Sequence, residues 1–296
     1  MKSSYIYGSL TPFLDIADLE FPVDWSRVFG NAHPLEVEIG FGTGEYLVRL
    51  AGASSQTNFV GFEQCATRII KTLRKIHEAR LTNVRLLRLD AVWGFRFSFL
   101  PASVQRVHCL FPCPWPKKRH AKHRLFQPDV LKLINSRIVP EGHLTIVTDH
   151  KPYSDWILEG VEGTGFSVNP RTIPARYETK FERKWREAGQ EEFYELEFLK
   201  KAEVSGVSKE VCPVRAYFVK KFVPEHVRFK DVEGPLTVKF GDFLFDPAIK
   251  KGMVNAIVTE DSRMQHLWIM VAHTAKGWCV AAAAGTVILP TEGAQK

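Results

Sequence analysis

Four acidic residues, Glu38, Glu63, Asp90 and Asp149, each sit at or beside the end of a short apolar run, in EVEIG, NFVGFE, VRLLRLDA and HLTIVTD. Ligands of open α/β sheets bind outside the carboxyl ends of the strands, so carboxylates there are placed to meet a ligand's hydroxyls and amines. Directly after Glu38 the chain reads GFGTG, with Gly40, Gly42 and Gly44 alternating with other residues. Glycines at a strand-to-helix junction let the backbone turn sharply and let a ligand approach without Cβ collisions. The spacing differs from the GxGxxG of dinucleotide sites, and the adjacent carboxylate repels a pyrophosphate but suits a cation. S-adenosylmethionine, with its sulfonium and amino group, fits both features. Each residue also has a plainer reading: the glycines as a tight connection, Glu63 as a favourable helix start, Asp90 as a helix cap. Taken together, with Ala91 beside Asp90, the three strand ends favour a nucleoside pocket over any of those separate readings.

A fourth strand-like run, VQRVHCLF, leads into FPCPWPKKRHAKHRL, residues 111–125. Its prolines stiffen a loop at the same sheet edge, and Lys117, Lys118, Arg119, Lys122 and Arg124 follow. Such a cluster suits the phosphates of a nucleic acid, although charge runs also occur as simple solvated faces. Cys113 stands alone ahead of it. Two later polar stretches, TDHKPYSDW with Asp149 and RYETKFERKW, carry little information in their spacing. TKFE by itself reads as an exposed loop with a buried Phe181.

These residues need a scaffold. Between Leu35 and Asp149 short apolar runs alternate with amphipathic ones, which implies a mostly parallel sheet covered by helices on both faces. After Glu63, Ala66, Ile69, Ile70, Leu73 and Ile76 fall at helical spacing as a core face. FYELEFLKK reads as a last strand joining the sheet, and TIPARYETKFERKW as extended. The expected organisation is a domain over residues 1–201, a linker over 202–214 in the small, polar, Pro-ended AEVSGVSKEVCP region, and a small β-rich domain over 215–296.

Composition narrows the class. The chain has 296 residues, 45% hydrophobic and 25% charged, with a formal net charge of +7 that favours an anionic partner. Five cysteines lack CxxC spacing, so neither a structural zinc site nor a disulfide framework is expected. The start lacks the pattern of a signal peptide and no apolar run approaches the roughly 20 residues of a membrane span. The expectation is a cytoplasmic protein without a membrane segment.

In this order, the stretches resemble the bacterial tRNA (guanine-N7)-methyltransferase family over about residues 35–201. The family's EIGFGxG, GxE, DA, FPDPWxKxRHxKRR, TD and TKFE motifs correspond to Glu38–Gly44, Gly61–Glu63, Asp90–Ala91, Phe111–Arg124, Thr148–Asp149 and Thr179–Glu182. The resemblance implies an α/β fold with a Rossmann-like, seven-stranded class I methyltransferase sheet, bearing here a small β-rich C-terminal appendage. It also implies methyl transfer from S-adenosylmethionine to N7 of a guanine in the tRNA variable loop, without a metal. By the same resemblance Glu38 faces the methionine end of the donor, Glu63 its ribose and Asp90 its adenine, with Gly40, Gly42, Gly44 and Ala91 around them. Lys117, Asp149, Thr179, Lys180, Phe181 and Glu182 fall on the tRNA side, beside the basic run of Lys118, Arg119, Lys122 and Arg124. One position departs: Cys113 stands where the family has the acidic residue treated as its catalytic aspartate. A non-catalytic tRNA-binding member of the family is the alternative that this departure leaves open.

Overall fold

In the computed structural model, which describes residues 8–204, 214–260, 263–284, 286 and 288–295, the alternating apolar runs of the first unit, Met1–Lys209, become one sheet. Its strands are β1 (Phe13–Leu14), β2 (Leu35–Ile39), β3 (Asn58–Phe62), β4 (Val84–Leu87), β5 (Val104–Leu110), β6 (Ile138–Thr148), β7 (Phe166–Ile173) and β8 (Phe193–Lys200). They lie in the order β1-β4-β3-β2-β5-β6-β8-β7. The seven strands implied by the resemblance are present, and the two-residue β1 adds a parallel edge beside β4.

Helices follow the strands: α1 (Trp25–Phe29), α2 (Glu45–Ala53), α3 (Ala66–Glu78), α4 (Ala91–Ser98), α5 (Pro128–Arg137), α6 (Lys151–Glu159) and α7 (Lys180–Glu187). β3 and β4 are buried at every residue, as expected where both faces are covered, and β5 is buried apart from Gln105 and Arg106 near its start. In α3 the buried line is Ile69, Thr72 and Ile76, whereas Ile70 is exposed. The expected core face is therefore narrower, because Ile70 lies a full residue's rotation off that line.

Two features of the topology gather the site. From β2 the sheet grows through β3 and β4 on one side and through β5 and β6 on the other, so a crevice opens between the carboxyl ends of β2 and β5. On the far side β8 pairs antiparallel with both β6 and β7. That makes β7 run in the same direction as β6 and delivers the residues after Ile173 to the same sheet edge. The expected extended stretch there is a correction: only its first residues belong to β7, and Lys180–Glu187 form α7.

The second unit, Glu210–Lys296, is an antiparallel sheet of β9 (Tyr217–Val219), β10 (Leu236–Asp246), β11 (Lys251–Glu260), β12 (Arg263–Thr274) and β13 (Gly277–Ala282). The order is β10-β11-β12-β13-β9. Val238, Ala256, Val258 and Leu267 form its core, with Ala294 of the short α8 (Glu292–Gln295) packed against them. Most of the expected linker, residues 205–213, lies outside the described residues. Among the described residues no helix is long and apolar enough to cross a membrane.

Candidate active site

The turn after β2 is built from left-handed residues: φ is +68° at Gly40, +56° at Gly42 and +78° at Gly44. A side chain at Gly40 would meet nothing within 4 Å, whereas one at Gly44 would lie 2.4 Å from the Thr72 methyl of α3. Gly40 and Gly42 thus keep space clear, while Gly44 lets α2 and α3 pack closely. Lys75 of α3 pins the turn, donating from Nζ to the Thr43 carbonyl at 2.7 Å and pairing with Glu45 at 2.8 Å.

Glu63, at the end of β3, locks the same turn. One carboxylate oxygen accepts from the backbone N–H groups of Gln64 and Cys65 at 2.9 and 3.0 Å, and the other accepts from Gly42 N–H at 3.1 Å and meets Arg68 at 3.3 Å. Asp90 caps α4, accepting from Val92 N–H, and Gln64 Nε2 reaches its second oxygen at 3.4 Å. The cap reading of Asp90 and its place at a strand end both hold, with Ala91 as the first residue of the helix.

Against the glycine turn is a cavity of about 240 Å³ lined by Glu38, Gly40, Gly42, Tyr46, Arg68, Leu110, Phe111 and, from the start of α7, Thr179, Lys180, Phe181 and Lys184, whereas Glu63, Asp90, Ala91 and Asp149 are not among its lining residues. Glu38 is only 3% exposed, and its Oε2 has no hydrogen-bond partner. Burial, reinforced by the negative charge of Glu45 and opposed by Arg49, pushes its pKa up to about 8. The cavity therefore combines a desolvated carboxylate with apolar and aromatic walls, an arrangement that takes a cation attached to a flat or apolar body.

The stretch after β5 leaves the sheet sharply. Phe111 and Trp115 both have positive φ, +56° and +43°, and Phe111 N–H is held by the Val147 carbonyl at 2.7 Å. Cys113 is an exposed free thiol and is not among the cavity-lining residues. Lys117, Lys118, Arg119 and Lys122 are exposed around a 3-10 turn at Lys118–His123, and among the described residues none of them forms an ion pair. Arg124 differs. Its guanidinium donates to the carbonyls of Pro114 at 3.0 Å and Trp115 at 3.4 Å and lies 4.8 Å from the Trp156 ring, so it braces the proline loop from within.

The TKFE stretch is a helix start rather than a loop. Thr179 Oγ1 accepts from Glu182 N–H at 3.1 Å, one half of a capping box. The Glu182 carboxylate reaches back to the backbone N–H groups of Arg176 at 2.8 Å, Tyr177 at 3.0 Å and also Glu178. Phe181, expected buried, is 42% exposed, because the cap turns its ring toward the cavity rather than the core. Asp149 is half-buried just past β6, and its carbonyl accepts from Gln190 Nε2 at 2.8 Å.

A family profile described as "Putative methyltransferase" matches residues 32–195, from just before β2 into β8. The tRNA (guanine-N(7)-)-methyltransferase of Chlorobium phaeobacteroides is 40% identical over 179 residues, 60% of this chain and 87% of that protein. The protein of the same name from Coprothermobacter proteolyticus is 32% identical over 279 residues, 88% of this chain and 82% of its own. The chain belongs to the tRNA (guanine-N7)-methyltransferase family. The C. proteolyticus match is too long to fit within the first unit, so family likeness extends into the second. Among solved structures, a 16S rRNA methyltransferase, KamB, is 15% identical with a TM-score of 0.49, covering 60% of this chain and 93% of that chain.

The structure also shows what sequence reasoning passed over. Tyr46, the second residue of α2, is buried and lines the cavity, and its hydroxyl lies 3.3 Å from His108 Nδ1, whose Nε2 lies 2.9 Å from Glu36. Arg68 and Lys184 sit on polar helix faces and reach the cavity only because α3 and α7 converge there. The only sequence signal for them is their distance from the glycine turn and from TKFE.

Proposed function

We propose that this protein methylates N7 of a guanine in the variable loop of tRNA, using S-adenosylmethionine. The observation that carries the reading is the cavity at the β2–β5 crevice, whose buried Glu38 oxygen lacks a partner and so fits a cationic ligand. The residues present suit that donor. Glu38 faces its amino-acid end, the open turn at Gly40 and Gly42 gives it backbone clearance, and Glu63 and Asp90 stand at the next two strand ends. When bound, S-adenosylmethionine supplies a methyl carbon activated by a positively charged sulfur.

Guanine N7 carries its own lone pair, so no proton has to leave before attack. The work of the chain is to align the base, keep water out and shape the local charge. Phe111 and Phe181 offer flat apolar walls for that alignment, and the exposed lysines and Arg119 after Pro116 hold backbone phosphates. A tRNA substrate fits a protein that works in the cytoplasm. The test is incubation of the purified protein with S-adenosylmethionine and an unmodified tRNA transcript, followed by mapping of N7-methylguanosine. Methylation at one variable-loop guanine is expected. Donor binding without methylated product would instead support a tRNA-binding member that does no chemistry.

A further inference from the structure

The acids around the cavity differ in one respect. Glu36 bonds to His108, Glu45 to Lys75 and Thr43, Glu63 to three backbone N–H groups and Glu182 to three more. Glu38 alone among them keeps a buried oxygen without a partner, and that oxygen belongs to a side chain lining the cavity.

The charges that face it do not relieve this. On α2, Glu45 repels it and Arg49 attracts it, but Arg49 is committed to Glu178 at 3.0 Å and to the Tyr177 carbonyl at 2.7 Å. The Tyr46 phenol, also on α2, is bonded to His108. On β5, His108 lies beside Glu38 in register and is held between Tyr46 and Glu36, while the Cys109 thiol is fully buried and driven upward in pKa by that burial. Glu36, on β2 two residues before Glu38, is itself taken up by His108. Across the cavity Arg68 is paired with Glu63, and neither Lys180 nor Lys184 of α7 bonds to Glu38.

We propose that Glu38 holds a proton in the free protein and releases it when the ammonium group of a methionine-type ligand enters the cavity, which couples donor binding to proton release. The inference rests on the reading under Proposed function. A neutral carboxyl is the cheaper state for a buried acid without a cation, and an ammonium within bonding distance reverses the preference. The direction of the raised pKa agrees. Because only the ionised form receives the ligand well, apparent affinity weakens about tenfold per pH unit below the pKa of the free site.

Calorimetry at pH 6.5, in two buffers of different ionisation enthalpy, tests this with S-adenosylmethionine, S-adenosylhomocysteine and 5′-methylthioadenosine. At that pH a ligand amine with the usual pKa of about 7.7–8.0 is already protonated and contributes little to the count. Expected is close to one proton released on binding either amino-acid-bearing ligand and none with methylthioadenosine. Glu38→Gln should abolish the release and flatten the pH dependence, its fold checked by circular dichroism. Equal proton release from all three ligands, or undiminished release in Glu38→Gln, overturns the assignment while leaving the methyltransferase reading intact. Failure to bind any of the three overturns both.

Discussion

Glu36 and Glu38 lie two residues apart on one strand and meet different fates, the first bonded to His108 and the second sealed in without a partner. Charge in the sequence pointed to Glu38 as a partner for a cation, but its isolation depends on Arg49 being drawn away by the loop before α7, which no local pattern encodes. Isolation has a stability consequence. Because burial raises the folded-state pKa of Glu38 from 4.5 to about 8, the folded chain binds more protons than the unfolded one between those values. The contribution is complete below about pH 4.5 and is lost as pH rises through about 8. Glu38→Gln should therefore gain stability relative to the parent on going from pH 5 to 8.5, by on the order of a few kcal/mol. Parallel melts at both pH values check this, and an unchanged difference would count against a buried, unpaired acid. Cys113 poses the complementary question. It is exposed and outside the cavity lining, so Cys113→Ala should retain most methylation, because alignment of the base supplies much of the rate. Cys113→Asp should match or exceed the parent, since a carboxylate near the base favours the positive charge arriving there. Single-turnover rates decide it: a loss of about 10²–10³ in Cys113→Ala would make the thiol an essential electrostatic group.

Among the elements, α7 shows how a readable signal is passed over. Thr179-Lys180-Phe181-Glu182 has the T-x-x-E form of a capping box, but the polar residues around it and the lack of a long apolar stripe make the stretch look like a loop. Its architecture lies in the Glu182 carboxylate, which gathers the backbone N–H groups of three consecutive residues, Arg176 to Glu178. That fixes the approach to the helix and aims Phe181 at the cavity. Thr179→Ala removes the cap and should cost about 1 kcal/mol. Glu182→Ala leaves several donors without their acceptor and should cost more, about 1–3 kcal/mol, while also weakening donor binding by letting Lys180 and Phe181 drift. Chemical denaturation of both variants, together with donor affinity, checks the order. If Glu182→Ala were no more destabilising than Thr179→Ala, the bonds to residues 176–178 would not be holding the loop. By contrast β2 to β5 were legible because short runs rich in Val, Leu, Ile and Phe recur between amphipathic stretches, even though Glu36, Glu38, Arg85, Gln105 and Arg106 interrupt them. Ile70 was misjudged, since a five-residue apolar set covers more of a helix than the face that packs.

For the whole molecule, alternation of apolar and amphipathic runs revealed the parallel core, whereas the placing of β8 between β6 and β7 did not follow from it. Antiparallel insertion is a long-range pairing that no short-range pattern fixes, yet it is what brings Thr179 to Glu182 to the edge where Glu38 and the glycine turn lie. The distribution of charge follows the same division. The formal net charge of +7 speaks only to an anionic partner, but within the first unit several of the basic groups near the site are already committed. Arg49, Arg68 and Lys75 are ion-paired and Arg124 braces the proline loop. Lys117, Lys118, Arg119 and Lys122 remain exposed on one short turn, so they have the most to give to phosphates. Each phosphate neutralised by such a side chain steepens the fall of log affinity with log salt by about 0.7–0.9. Replacing Lys117 and Lys122 together by alanine should therefore weaken tRNA binding and flatten that slope by about 1.5. Affinity for the methyl donor should stay unchanged, because neither side chain lines the cavity. Titrations of the parent and double variant across a range of salt concentrations measure the slope directly. A slope that did not change would mean that these lysines form a solvated face and that tRNA is held elsewhere on the molecule.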